Sequence, residues 1–213
     1  MIDGLWLFAP NRETQGGSSW LLAGDAAEGH PELLVDCPAL TEANLAFLQA
    51  REPGWIVLTS REGHGRVRRL QEATGWRVVV QEQEAYLLPG LQQLETFAHA
   101  HALAAGLELL WTPGPTPGSC VVAVRRPGID GLFCGRLLLA VGPGALAPLR
   151  TARTFHGPRL QRSVAALLSW LPSGSPAWIA TGGGLGALRG SQLVQNGAQM
   201  LKSLAETRVS SIS

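Results

Sequence analysis

A run of prolines and glycines at residues 111–118, Trp-Thr-Pro-Gly-Pro-Thr-Pro-Gly, constrains the fold of this chain more than any other segment. Short apolar runs flank it at residues 108–111 and 120–124, and the second is rich in β-branched residues. Proline fixes φ near about −65° and glycine permits close approach of the backbone. The sequence therefore predicts a rigid turn between two strands, which is either a plain hairpin connection or part of a site built at the strand ends.

Four further segments occur in an order that a known family shares. Residues 33–38 are an apolar strand that runs into Asp36, and residues 55–66 are a second apolar strand followed by a polar stretch. Residues 132–136 read Leu-Phe-Cys-Gly-Arg, and residues 178–184 place three glycines after another apolar strand. Together with the proline-glycine turn, these segments resemble the motifs of the metallo-β-lactamase superfamily in their order and spacing.

The resemblance spans residues 5–185 and implies an α+β fold, a four-layer αββα sandwich of the metallo-β-lactamase type. The chain has 213 residues, of which 46% are hydrophobic, and this is enough for one such domain. Because no Pro/Ser/Gly run of linker length interrupts the chain, we expect a single domain over residues 1–206 and a polar tail over 207–213.

Hydrophobic periodicity and turn residues predict the individual elements. Strands are predicted near residues 4–9, 18–23, 32–36, 55–59, 77–81, 107–111, 120–125, 131–134 and 177–181. Helices are predicted near residues 41–51, 65–74, 91–97, 160–171 and 191–206. Thr41 is a suitable N-cap for the first helix. The apolar stripes on the last two helices predict that both pack against the core.

The resemblance also locates the family's metal ligands, and this chain replaces most of them. The residues at those positions are Ser60, Glu62, His64, Gly65, Pro115, Arg136 and Gly183. Only Glu62 and His64 could donate to a metal, and Arg136 would put a permanent positive charge where a cation should lie. A zinc-bound water cannot be generated without the zinc. We therefore expect no metal and no other cofactor.

Arg136 and Glu62 are expected to pair with each other. In the resembling family these two positions point into one cavity, and a buried guanidinium without an anion is costly. Glu62 is the only acid among the aligned positions, and we expect His64 to complete the cluster as a hydrogen-bond partner.

Two loops offer further candidates for binding. His156 precedes a predicted helix and is either a ligand contact, a general base or a structural residue. The glycine-rich segment 181–190 could cradle a phosphate, but it matches neither established phosphate-binding motif. We interpret it as a flexible loop that has lost its histidine.

Nucleophilic residues give little support for catalysis. Ser60, Ser119 and Ser163 lie in no nucleophile-elbow motif. Cys134 could work with His64 only if its thiol pKa were lowered. Cys134 and the other two cysteines, Cys37 and Cys120, show no metal-binding spacing and are expected to be small buried hydrophobes.

Composition excludes several classes of function. The net charge of +1 and the pI of about 7.8 give no electrostatic case for nucleic acid. We expect no signal peptide, no membrane insertion and a reduced, cytoplasmic setting. The charged fraction of 15% is low for a free surface, which suggests that a partner covers part of it.

The sequence thus predicts a metal-free, non-catalytic protein that acts by binding or as a structural partner, with an unknown small molecule or protein as its partner. The alternative is a hydrolase of the superfamily's broad type with an altered site. The fold by itself would favour hydrolysis, but function depends on the site, and this site has been replaced. The residues predicted to line the degenerate pocket are Glu62, His64, Pro115, Arg136, His156 and Gly183.

Overall fold

The computed structural model describes residues 2–148, 150–184 and 192–210. The first half contains six strands and two helices: β1 (Leu5–Phe8), β2 (Ser19–Leu22), β3 (Leu33–Val35), α1 (Glu42–Gln49), β4 (Trp55–Leu58), α2 (Val67–Thr74), β5 (Arg77–Gln81) and β6 (Leu94–Phe97). Short 3-10 turns occur at Arg61–Gly63 and Glu82–Leu87.

The second half contains eight strands and two helices in its described part. They are β7 (Ala100–Ala104), β8 (Leu107–Trp111), β9 (Cys120–Arg126), β10 (Ile129–Phe133), β11 (Leu139–Gly142), β12 (Ala145–Ala147), α3 (Gly157–Trp170), β13 (Trp178–Ala180), β14 (Leu193–Gln195) and α4 (Gly197–Ser210).

Two six-stranded sheets form the centre of the fold. Their strand orders are β1-β2-β3-β4-β5-β6 and β14-β13-β10-β9-β8-β7, and β11 and β12 form a separate hairpin. The strands β3, β4, β5 and β6 pair in parallel, with α1 and α2 in the connections. The second sheet is antiparallel except for the pair β10 and β13.

Alternating side chains create three apolar layers. In β3, Leu33 and Val35 face the second sheet, whereas Leu34 faces α1 and α2. On the second sheet, Val122 points into the central layer and Val121 points toward α3 and α4. The helices therefore cover the outer faces of both sheets, and the four-layer αββα sandwich predicted from the motifs is confirmed.

Two local predictions are wrong, and one strand was missed. Residues 91–97 are not a helix, because β6 extends the first sheet by pairing in parallel with β5. Backbone pairing at a sheet edge here overrides helix propensity. The helix predicted at 191–206 begins only at Gly197, after β14 pairs with β13 and Asn196 takes a φ of 55°. The strand β7 was not predicted, because its alanines and histidine carry little strand signal.

The hairpin of β11 and β12 was also not predicted. It surrounds the Pro-Gly pair at residues 143 and 144 and pairs Leu139 with Ala147. Of the glycine-rich loop predicted at 181–190, residues 185–190 lie outside the described residues. No described helix is both long enough and apolar enough to cross a membrane.

We propose that the two halves form one folding unit, since the central apolar layer contains residues of both sheets. Limited proteolysis with a broad-specificity protease is then expected to cut first in the loops at 142–144 and 173–176, while the fragments stay associated. Recovery of two fragments that fold separately would contradict a single domain.

Candidate functional site

Four loops meet at one end of the sandwich, where strands of both sheets end. Cys120, at the start of β9, donates its backbone N–H to the carbonyl of Thr59 after β4 (2.8 Å). Gly182, after β13, donates to the carbonyl of Gly135 after β10 (2.7 Å). A side chain at Gly135 would lie 2.5 Å from Oγ1 of Thr59, so this close approach requires glycine. The motifs found in the sequence therefore converge in space.

Asp36 fixes the ends of two neighbouring strands. It follows β3 with a φ of 60°, and its carboxylate accepts hydrogen bonds from N (2.8 Å) and Oγ1 (2.7 Å) of Thr59 after β4. Burial raises the pKa of Asp36 to about 6, against the opposing effect of both Thr59 hydrogen bonds. The backbone of Gly63 packs directly against this carboxylate. Asp36 thus holds the loop that carries Glu62 and His64.

Arg136 and Glu62 form the ion pair that the sequence predicted. Nη1 of Arg136 lies 2.8 Å from Oε2 of Glu62, and the two side chains are 20% and 10% exposed. Nη2 of Arg136 also donates to the carbonyl of Thr14 (2.6 Å). A side chain at Gly17 would approach Nη2 of Arg136 to 2.7 Å, so this glycine leaves room for the guanidinium. The guanidinium is therefore fixed between the loop after β4 and the loop between β1 and β2.

His64 does not join this ion pair, which corrects the expectation from the sequence. Its Nε2 instead lies 3.9 Å from Oε2 of Glu84, a residue with no exposed side-chain surface. Burial lowers the pKa of His64 to about 4, with a smaller lowering from Arg61 and an opposing effect of Glu84. His64 is therefore a neutral side chain at neutral pH.

Glu84 was missed by the sequence reasoning, although it anchors the proline-glycine turn. Its Oε1 accepts hydrogen bonds from Nε of Arg61 (3.2 Å) and from the backbone N–H of Gly118 (3.0 Å). A carboxylate held by a guanidinium and a backbone donor is well satisfied at that oxygen. No motif surrounds Glu84 in the sequence, because its role depends on the packing of the Glu82–Leu87 turn against residues 111–118.

Pro115 lines the cavity and Gly183 does not, although it lies next to the lining residue Leu139, and His156 has a structural contact. The carbonyls of Pro115 and Gly114 accept from the backbone N–H groups of Phe155 (3.0 Å) and His156 (3.1 Å). Nδ1 of His156 accepts from the backbone N–H of Arg159 (3.2 Å) and so caps α3. Gly183 lies beside Leu139, whose Cδ2 would be 3.5 Å from a side chain placed there.

The cavity itself has a volume of about 300 Å³. Three of its residues, Glu62, Pro115 and Arg136, were predicted from the sequence. Leu139 and the loop residues 151–154, Thr-Ala-Arg-Thr, were not predicted. These residues belong to segments outside the family motifs. One feature of the sequence could have pointed to them, which is the charge of the surrounding segment: residues 131–205 contain seven Lys or Arg and no Asp or Glu.

The thiol route to catalysis is wrong. Cys134 is fully buried, its sulfur contacts the carbonyl of Leu138 at 3.5 Å, and burial raises its pKa to about 12. Burial likewise raises the pKa of Cys37 to about 12 and that of Cys120 well above its usual value. A nucleophilic cysteine needs the opposite shift. The buried-hydrophobe interpretation of all three cysteines is confirmed.

A dinuclear metal centre does not fit the residues at this site. Of the two possible ligands, Glu62 is paired with Arg136 and His64 faces Glu84. Within the part of the chain that the structure describes, no group of three or more His, Cys, Asp or Glu side chains is placed to hold a metal ion. Zinc sites need three or four such ligands around one point.

The sequence matches no protein-family model and no curated protein sequence. The fold matches solved structures. BLEG-1 B3 metallo-β-lactamase has a TM-score of 0.64 at 19% identity, with 92% of this chain and 96% of that chain covered. An archaeal metallo-β-lactamase superfamily protein from Sulfolobus tokodaii has a TM-score of 0.59 at 17% identity, with 95% and 85% covered. The di-iron-bound form of TTHA1623 has a TM-score of 0.60 at 20% identity, with 86% and 92% covered.

These similarities show that the chain has the metallo-β-lactamase fold, as its motifs predicted. At the end of the sandwich where those motifs meet, Arg136 and Glu62 form an ion pair.

Proposed function

We propose that this protein is a metal-free, non-catalytic form of the metallo-β-lactamase fold that acts by binding. The observation that carries the proposal is the ion pair of Arg136 and Glu62 within the cavity. A guanidinium stays protonated at all physiological pH values, so it repels a divalent cation at the same place. The guanidinium of Arg136 also pairs with Glu62, the one carboxylate at the aligned positions that could have been a metal ligand.

The cavity remains open to a ligand other than a metal. Its volume of about 300 Å³ lies at the lower end of the range for small-molecule sites, and apolar and polar side chains both line it. We propose a small molecule as the occupant, because the lining residues surround a concave space and not a flat face. The three unpaired cysteines support a reducing, cytoplasmic compartment as part of the proposal.

Metal analysis tests the first part of the proposal. Protein purified without chelators and without a metal-affinity tag is expected to carry well under one equivalent of zinc, iron or manganese, since no ligand set converges among the residues that the structure describes. Elemental analysis by mass spectrometry measures this directly. About one tightly held metal per chain would contradict the proposal.

Hydrolysis assays test the second part. The protein is expected to leave a chromogenic β-lactam and a simple ester unchanged, with or without added zinc, because the described residues that line the cavity include no activated nucleophile. Turnover that persists after a further chromatography step would favour the alternative, a hydrolase with an altered site. The Arg136→Ala variant is then the matched control: if the turnover takes place in this cavity, its rate must change in the variant, because Arg136 lines the cavity.

A further inference from the structure

The charges around the cavity are unbalanced. Arg136 and Arg153 both line it, and Glu62 is the only acid among the lining residues. Since Glu62 pairs with Arg136, no carboxylate remains for Arg153. Among the described residues, Arg153 contacts the neutral side-chain amide of Gln15 and no acid within ion-pair distance. The guanidinium of Arg153 therefore keeps an uncompensated positive charge at the mouth of the cavity.

The chain segment that contains Arg153 is rich in basic residues. Residues 131–205 contain seven Lys or Arg and no Asp or Glu. Arg150 packs against Gly157 at the start of α3, and Arg159 and Arg162 lie on the first turns of that helix. Charges of one sign around a concave site attract counter-ions and raise their local concentration.

Two hydroxyl groups add hydrogen-bond donors at the same place. Oγ1 of Thr154 accepts from the backbone N–H of Thr151 (2.8 Å), and Oγ1 of Thr151 accepts from that of Arg153 (3.2 Å). Each hydroxyl therefore keeps its own proton for a further acceptor. The lining thus offers donors from Arg153, Thr151 and Thr154, while Leu139, Pro115 and Ala152 provide apolar contact.

We infer that the cavity binds a small organic anion, whose carboxylate or phosphate group is held by Arg153 with the hydroxyls of Thr151 and Thr154, and whose apolar part lies against Leu139 and Pro115. This inference rests on the proposed binding function and names its ligand class. Arg136 has a different role: it is fixed by Glu62 and the carbonyl of Thr14 and forms the floor of the site.

Matched probes test the inference on the full-length protein. We would titrate hexanoate, hexyl phosphate and the neutral hexanol, and follow the methyl NMR signals of Leu139 and Ala152. Both residues line the cavity. Hexanoate or hexyl phosphate is expected to shift these signals in a saturable way, and the tighter of the two identifies the headgroup. Equal binding of hexanol would overturn the inference, because the charge would then be irrelevant.

Two variants separate the specific site from general attraction. Arg153→Gln is expected to weaken anion binding at least about tenfold, as expected for the loss of a charge-assisted contact. Arg162→Gln removes a charge from the same segment outside the cavity lining and is expected to change binding less than about twofold. An equal loss in both variants, or no saturable binding of either anion, would overturn the inference.

The failure of this inference differs from the failure of the proposed function. Metal-free protein that binds neither anion leaves the metal-free proposal intact and refutes only the anion site. Anion binding that disappears after dialysis against a chelator and returns with zinc would refute both, because the ligand would then be held by a metal.

Discussion

Arg136→Ala is expected to lower the free energy of unfolding by about 3 kcal/mol, since the carboxylate of Glu62 would lose its partner while it remains buried. This value lies at the lower end of the range for breaking a buried ion pair, because the side chain of Arg136 is still 20% exposed to solvent. The variant also removes a positive charge that partly opposes the rise in the pKa of Asp36 caused by burial. Urea denaturation followed by fluorescence and circular dichroism measures the change.

The stability of Arg136→Ala is compared with that of three further variants. Arg68→Ala breaks an exposed pair with Glu72 and is expected to cost less than about 0.5 kcal/mol. Replacing both partners, Arg136→Met with Glu62→Leu, is expected to be much closer to the wild type, since neither charge is then left alone. Arg136→Asp is expected to be destabilised and to bind no zinc, because the histidines would still be missing. A value for Arg136→Ala as small as that for Arg68→Ala would refute the buried-pair interpretation.

Asp36→Asn and His64→Gln are expected to change the pH dependence of stability in opposite directions. The pKa of Asp36 is raised from 3.8 to about 6, so the folded state binds its proton more tightly, and this contribution to stability falls as the pH rises from about 4 to 6. The pKa of His64 is lowered from 6.5 to about 4, so the unfolded state binds the proton more tightly, and this contribution rises over nearly the same window.

In the wild type these two effects oppose each other. Each amounts to about 3 kcal/mol at 1.36 kcal/mol per pKa unit. Asp36→Asn leaves the His64 effect, so its stability is expected to increase from pH 4 to 6.5 relative to the wild type. His64→Gln leaves the Asp36 effect and is expected to show the reverse. Urea titrations at intervals of half a pH unit measure both slopes, and parallel curves for the two variants would show that these groups are not buried as described.

An ion pair at this site makes the stability of the fold independent of a bound metal. A metal centre would contribute binding free energy that depends on metal supply and pH. The ion pair of Arg136 and Glu62 needs neither, and it leaves the neighbouring cavity free for a ligand. Saturating ligand would then raise the apparent stability by mass action, which offers a thermal-shift screen for the natural occupant.

The four-layer fold was predictable from the sequence, because the apolar strands and the turns between them occur in a recognisable order. The ion pair was predictable as well, since Arg136 and Glu62 are the only opposite charges at the aligned positions. Local patterns carry this information because strand alternation and turn residues act over a few neighbouring positions.

The surroundings of the ion pair depend on long-range packing and could not be predicted from the sequence. Glu84 is 34 residues from Gly118 in the chain and binds it in space, which diverts His64 from the cavity. The loop at 151–154 reaches the same cavity without any motif of its own. Residues 91–97 became a strand because β5 offered an edge to pair with. In each case the deciding contact joins segments that are distant in sequence, and short-range propensity contains no information about such contacts.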